Sequence, residues 1–309
     1  MTYYSYVAIA AAVYLAIAAN QFRRNSVPLR SSVLTAAMTA VSGFVFAKLL
    51  YILLLAASSW RLHGASAFVR FQPSEMSIVG CCLGALLAVY ASGRRQKTNT
   101  GRLMDVYSPV FAIGIFLLRA GEYFSLSGAE MLGAGEYIGD YSFSVFPLAV
   151  FNRWDEAYFA VCLLEAAAAL YLAIRAFIML RKDQNSRGQI VSYVCFCAAL
   201  AQILCESLRS QCMRWGFVKI EQVLCAVVVM YIIVADCRNK ALPFRILLRV
   251  ILLSLSCILV MVLLEFAMDK TDIPKLICYL LMILMLSGLY FIRRYVLKHD
   301  FAGTGGKTV

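Results

Sequence analysis

The chain alternates long apolar runs with short polar breaks. Apolar runs cover residues 4–20, 32–58, 77–91, 106–124, 156–180, 190–208, 218–235, 246–268 and 275–292. A hydrocarbon core about 30 Å thick needs roughly 20 residues of helix, and runs of about that length recur from one end of the chain to the other. The two-residue alternation of a half-exposed strand is absent, so a membrane barrel is not expected. The pattern predicts an all-α polytopic membrane protein with about nine transmembrane helices. No basic stretch precedes the first run and no small-residue cleavage site follows it, so it reads as a retained first span.

The polar breaks then set the topology. Dense basic groups are Arg23, Arg24 and Arg30; Arg94, Arg95, Lys97 and Arg102; Arg181, Lys182 and Arg187; Arg238, Lys240 and Arg245; and Arg293, Arg294 and Lys298. They fall on every second break. By the excess of Lys and Arg on cytoplasmic loops, this predicts an N-terminus outside and a C-terminus in the cytoplasm. The longest break, 125–154, is rich in Gly, Ser and aromatics and carries Glu130, Glu136 and Asp140. It is expected to form a small extracytoplasmic cap between helices four and five, anchored by Tyr137, Tyr141, Phe143 and Phe146. Pro243 suggests a division into residues 1–237, with seven helices, and 238–309, with two more and a basic tail. No repeat of fixed period is evident.

Composition agrees with that picture. Of 309 residues, 62% are hydrophobic and 15% charged, more apolar surface than one water-soluble core can hide. The net charge of +12 lies between spans rather than on one face of a soluble domain, so no nucleic-acid partner is expected. Eleven cysteines form no CxxC pair and no zinc spacing with histidine. Most, including Cys81, Cys82, Cys162, Cys205 and Cys278, sit within apolar runs and read as packing residues. No metal and no cofactor are expected. His63 and His299 read as a loop and a tail residue, and the Gly303–Thr308 ending lacks the strand and helix of a phosphate loop.

Ionisable groups within a bilayer cost about 2.5–3.5 kcal/mol each on insertion scales, so each needs a partner or a wet cavity. Several cluster here. Arg119 and Glu122 lie one turn apart near the outer end of helix four, and Glu206 and Arg209 repeat that spacing in helix six, with Gln202 one turn deeper. Glu165 lies in helix five, Arg70 and Glu75 precede helix three, and Lys48 sits in helix two beside Tyr51. Two readings stand open. The groups converge on an outer-leaflet cavity where guanidiniums grip a lipid phosphate, or they are intrahelical ion pairs and snorkelling arginines.

The order of these residues resembles that of the bacterial phosphatidylglycerol:prolipoprotein diacylglyceryl transferases. Asp105, Pro109, Gly114, Arg119 and Gly121 are similar to the family's D-x-x-x-P-x(4)-G-x(4)-R-x-G run. Ala47-Lys48-Leu49-Leu50-Tyr51 resembles its A-R-L-G-Y segment, Leu163-Leu164-Glu165 its L-Y-E, and Glu206-Ser207-Leu208-Arg209 its E-F-x-R. Residues 216–224, with Gln222, are similar to the opening of its seventh helix. The resemblance covers about the first 235 residues and leaves the last two helices outside.

The resemblance implies transfer of diacylglycerol from phosphatidylglycerol to the cysteine thiol of a prolipoprotein signal peptide, with glycerol phosphate released. It implies Arg119 as the phosphate ligand, with Arg209 in support and Glu206, Glu75 and Glu122 as further catalytic candidates. Tyr4, Lys48, Tyr51, Glu165, Gln202 and Gly121 are the candidates for substrate binding. This chain departs from the family at three polar positions. Glu75-Met76-Ser77 stands in place of His-Gly-Gly, Glu122 in place of an asparagine, and Gln202 in place of an arginine. Those changes leave open a non-lipidating paralogue acting on another lipid or peptide. The two added helices leave open a small transporter or assembly protein.

Overall fold

The computed structural model describes residues 3–25, 28–54, 66, 75–123, 133–138, 145–152, 154–182, 187–210, 212–215, 218–271 and 273–298. Among them are nine long helices: α1 (Tyr3–Arg24), α2 (Leu29–Leu54), α3 (Ile78–Arg95), α4 (Thr100–Glu122), α5 (Val161–Lys182), α6 (Gln189–Leu208), α7 (Ile220–Asn239), α8 (Phe244–Lys270) and α9 (Lys275–Lys298). All nine are long and apolar enough to cross a membrane.

Several helices outrun the apolar runs that predicted them, and they do so where the sequence is basic. α1 continues to Arg24, α3 to Arg95 and α5 to Lys182. Backbone groups near the edge of the hydrocarbon are still best satisfied within a helix, and long cationic side chains reach the interface from there. Capping fixes the polar starts: Ser77 Oγ accepts from Gly80 N–H at 3.0 Å ahead of α3, and the Asn99 side chain accepts from Arg102 N–H at 3.2 Å ahead of α4. At the start of α5 the difference runs the other way. Residues 157–159, expected as helix, are strand.

The chain forms two compact units. The first comprises Met1–Val194 and Leu208–Cys212, the second Cys195–Ser207 and Met213–Val309, so α6 runs through both. In the first unit α2 and α3 approach closely because glycines line the seam. A Cβ on Gly84 would lie 2.4 Å from the Ser42 carbonyl oxygen, and one on Gly80 2.6 Å from that of Phe46. Ser42 Oγ donates to the Gly84 carbonyl at 2.7 Å, using the proximity that small residues allow between helices in lipid. Asp105 of α4 accepts from the backbone N–H of Gly188 at 2.7 Å and of Val191 at 2.9 Å. It thereby supplies a carboxylate to the amino end of α6, where the helix dipole favours one.

Between α4 and α5 the described residues include a hairpin of β1 (Ala149–Phe151) and β2 (Ala157–Phe159), antiparallel, with a further bridge between Tyr137 and Tyr158; β2 lies beyond the 125–154 break. Small residues fill its core: Ala134, Val150, Ala160 and Cys162 are buried together. The expected aromatic anchors behave differently. Tyr137 is 60% exposed and Phe146 68% exposed, their rings resting edge-on against Tyr158 and Tyr123. Tyr141 and Phe143 lie outside the described residues.

In the second unit, β3 (Arg214–Trp215) and β4 (Val218–Lys219) form a short hairpin that leads into α7. Arg293 of α9 pairs with Asp236 of α7 at 2.8 Å, and its guanidinium lies 4.5 Å from the ring centre of Phe196. A buried cation therefore fastens one end of α9 with an ion pair and an aromatic face. Leucines such as Leu253, Leu259 and Leu263 on α8 are exposed, as a lipid-facing surface requires.

Candidate active site

Three buried charges, Arg119, Glu165 and Arg209, close a ring with the partly buried Glu122 in the first unit. Arg119, in the last turn of α4, is 5% exposed. Its Nη1 donates to Glu122 Oε1 at 2.5 Å, and its Nε lies 2.7 Å from Glu165 Oε2. Arg209, the first residue past α6, sends Nη2 to Glu122 Oε2 at 2.7 Å and to Glu165 Oε2 at 2.5 Å, and Nε to Glu165 Oε1 at 3.1 Å. Each carboxylate thus bridges both guanidiniums. Two charges of each sign cancel, which is the condition under which four ions can leave water together.

Arg119 and Glu122 stand on adjacent turns of one helix, and α5 brings Glu165 against them. Because α6 ends at Leu208, Arg209 leaves the helix and turns toward α4 and α5. Arg119 and Glu122 do pair within a helix, and they also line a void.

That void is a cavity of about 280 Å³ enclosed by α1, α2, α3 and α4. Arg119 and Glu122 lie in its wall, and Glu122 has the most accessible side chain of the four, at 14%. Further along, the Tyr14 hydroxyl meets Thr39 Oγ1 at 2.9 Å and the Tyr107 hydroxyl at 2.7 Å. Most of the remaining wall is apolar, with Ala10, Phe44, Cys81 and Phe111 among the lining residues. A cleft with one ionic stretch and an apolar body matches an amphiphile better than a wholly polar solute.

The other predicted residues fall around this centre or away from it. Lys48 and Glu75 form a buried pair at 2.7 Å, with the ammonium 5.2 Å from the centre of the Tyr51 ring. Their chain neighbours Ala47, Met76 and Ser77 line the cavity. Gly121 packs under Tyr6, where a Cβ would come within 2.5 Å of the ring. Gln202 and Glu206 belong to the second unit, where the Gln202 amide donates to the Glu206 carboxylate at 3.2 Å. The side chain of Tyr4 lies outside the described ones, as do Arg70, His63 and His299. Among the described residues no group of three or more His, Cys, Asp or Glu is placed to hold a metal ion.

Sequence reasoning missed Tyr14, Thr39 and Tyr107. Their signal was hydroxyls inside otherwise apolar runs, which the structure joins into one chain of hydrogen bonds. It also missed Gly80 and Gly84, whose four-residue spacing in an apolar run is the mark of a close helix pair.

Comparison with known proteins places this geometry in context. The chain is 22% identical over 191 residues to the phosphatidylglycerol–prolipoprotein diacylglyceryl transferase of Clostridium novyi (strain NT), across 59% of this chain and 72% of that protein. It is 24% identical over 180 residues to the protein of the same name from Campylobacter lari (strain RM2100), across 56% of this chain and 62% of the relative. The sequence profile of the prolipoprotein diacylglyceryl transferases matches residues 1–236, from α1 through nearly all of α7. The chain belongs to the prolipoprotein diacylglyceryl transferase family.

Proposed function

We propose that this protein transfers diacylglycerol from phosphatidylglycerol to the cysteine thiol of a prolipoprotein signal peptide, at the outer face of a bacterial inner membrane. The observation that carries the reading is Arg119 and Glu122 in the wall of an apolar cavity, in a chain that belongs to this family. The distribution of basic breaks supports the orientation, since the ends of α4 and α6 that bear Arg119 and Arg209 face away from the basic loops.

The chemistry is a displacement at the glyceryl carbon of the donor. A C–S bond forms, the C–O bond to phosphate breaks, and the electron pair leaves with glycerol phosphate. The thiol proton must go to a base, and negative charge must be stabilised where it grows on the leaving oxygen. Arg119 and Arg209 supply the second requirement with guanidinium donors suited to phosphate oxygens.

Glu122 supplies the first. It lines the cavity, whereas Glu75 is held behind the wall by Lys48. As an ionised carboxylate Glu122 occupies both arginines and repels a phosphate. On taking the thiol proton it becomes neutral and weakens its hold on them as the leaving phosphate gains charge. The proton transfer and the release of the guanidiniums are therefore one event. Lys48 and Glu75 act as positioning residues, and Tyr14, Thr39 and Tyr107 give the acyl region one fixed polar point.

The direct test is to incubate the purified protein with labelled phosphatidylglycerol and a synthetic lipobox peptide. Thioether-linked diacylglyceryl peptide together with glycerol phosphate is the expected product. A folded protein that yields neither overturns the assignment.

A further inference from the structure

A second cavity lies wholly within the second unit and is built with the two helices that follow the family match. Its volume is about 580 Å³, and its lining comes from α6, β4, α7, α8 and α9. The body is apolar, formed by Val223, Ala226, Val227, Met230, Ile258 and Val262, among others. Val223, Val227 and Val262 are exposed, so the cavity opens toward the lipid-facing surface of this unit.

One end is polar and organised. Lys219, 7% exposed, donates from Nζ to the backbone carbonyls of Ser207 at 2.8 Å and Glu206 at 3.0 Å, the last acceptors of α6. An ammonium has three N–H donors. The third has a long contact, 3.5 Å, with Glu265 Oε2. Glu265 is itself held by Ser207 and by the Gln222 amide, at 2.7 Å in the latter case. Lys219, Gln222 and Glu265 all line the cavity. A buried cation whose third N–H has only a long contact thus lines one end of an apolar space.

We propose that this cavity is a binding site for one acyl chain of a membrane glycerolipid, with the ester carbonyl of that chain accepting from Lys219. Size selects a chain over a helix. A peptide helix about 10 Å across would fill the volume within about 7 Å, less than two turns. A methylene takes roughly the 30 Å³ share of a water molecule, so the space holds about one long chain. Charge selects the ester. The positive charge of Lys219 is already balanced by Glu265, so a neutral acceptor fits the end better than a free carboxylate, which would add an unbalanced charge out of water. The polar end lies at the start of α7 and the last turns of α8, opposite the basic Arg238, Lys240 and Arg245. That places the ester of an outer-leaflet lipid beside Lys219 under the charge-based topology.

The test is photo-crosslinking of the full chain in vesicles of ether-linked phosphatidylcholine, which has no ester carbonyl, with phosphatidylglycerol carrying a diazirine on one acyl chain. The expected sites are residues 223–234 of α7 and 255–262 of α8. Ala226→Trp, which fills the cavity, should lower that labelling at least fivefold while labelling in the cavity beside Arg119 persists. Val223→Phe at the rim gives the same reading should the tryptophan variant not fold. Unlabelled ester-linked phosphatidylcholine added in excess over the probe should compete, and a free fatty acid should not. Labelling that survives both filling variants, or that is confined to exposed faces of α8 and α9, overturns the site. Competition by fatty acid equal to that by phospholipid overturns the ester assignment. Loss of diacylglyceryl transfer bears on the Arg119 site alone, so the two readings fail separately.

Discussion

Glu122 and Glu165 are the same residue type in one ring of charges, yet their surroundings assign them different work. Glu165 is the more deeply buried and bridges both guanidiniums; Glu122 bridges them too but faces the cavity. Glu165→Gln removes a structural counter-charge and leaves two arginines short of one carboxylate. Breaking a buried pair costs about 3–5 kcal/mol, so this variant should show a clearly lower thermal midpoint in detergent. Glu122→Gln should separate the kinetic constants. Freed guanidiniums bind phosphatidylglycerol more tightly and lower KM severalfold, whereas loss of the proton acceptor lowers kcat by about 10²–10⁴. A fall in kcat with KM unchanged would show that Glu122 does not compete with the phosphate.

The helices themselves were largely legible in the sequence, because membrane spans are written as length and apolarity, both visible residue by residue. Their ends were not. Arg24, Arg95 and Lys182 are helical although no apolar rule includes them, and residues 157–159 pair with 149–151 although they continue an apolar run. Partner choice was also hidden. The Glu206/Arg209 spacing looks like a pair on one helix, but the helix stops at Leu208 and Arg209 meets carboxylates from two other helices. Close helix approach carries its own prediction. Gly84→Leu would drive a side chain into the Ser42 backbone and part α2 from α3, two walls of the cavity. We expect loss of both thermal stability and transfer, read by a melting curve and the thioether assay on one preparation. A conservative Ser42→Ala, which removes only a hydrogen bond, should cost about 1 kcal/mol and leave transfer near normal.

For the molecule as a whole, the proposed reaction requires one orientation to serve both a lipid donor and a peptide acceptor. The charge pattern predicts that the cap lies outside and the α7–α8 turn inside. A cysteine introduced at Trp154 in a background lacking the accessible native thiols should react with an impermeant maleimide in intact cells, and one at Lys240 should react only after lysis. The opposite result would invert the topology and remove the outer-face assignment. Everything in the reaction scheme depends on Arg119 receiving the charge of the departing phosphate. The most direct measurement is the rate of thioether formation by Arg119→Ala against the unaltered protein, in vesicles at saturating phosphatidylglycerol. Removing one such donor typically slows catalysis about 10²–10³-fold, and we predict a loss of at least that size with the fold retained. A folded variant that forms product at the unaltered rate would contradict the account.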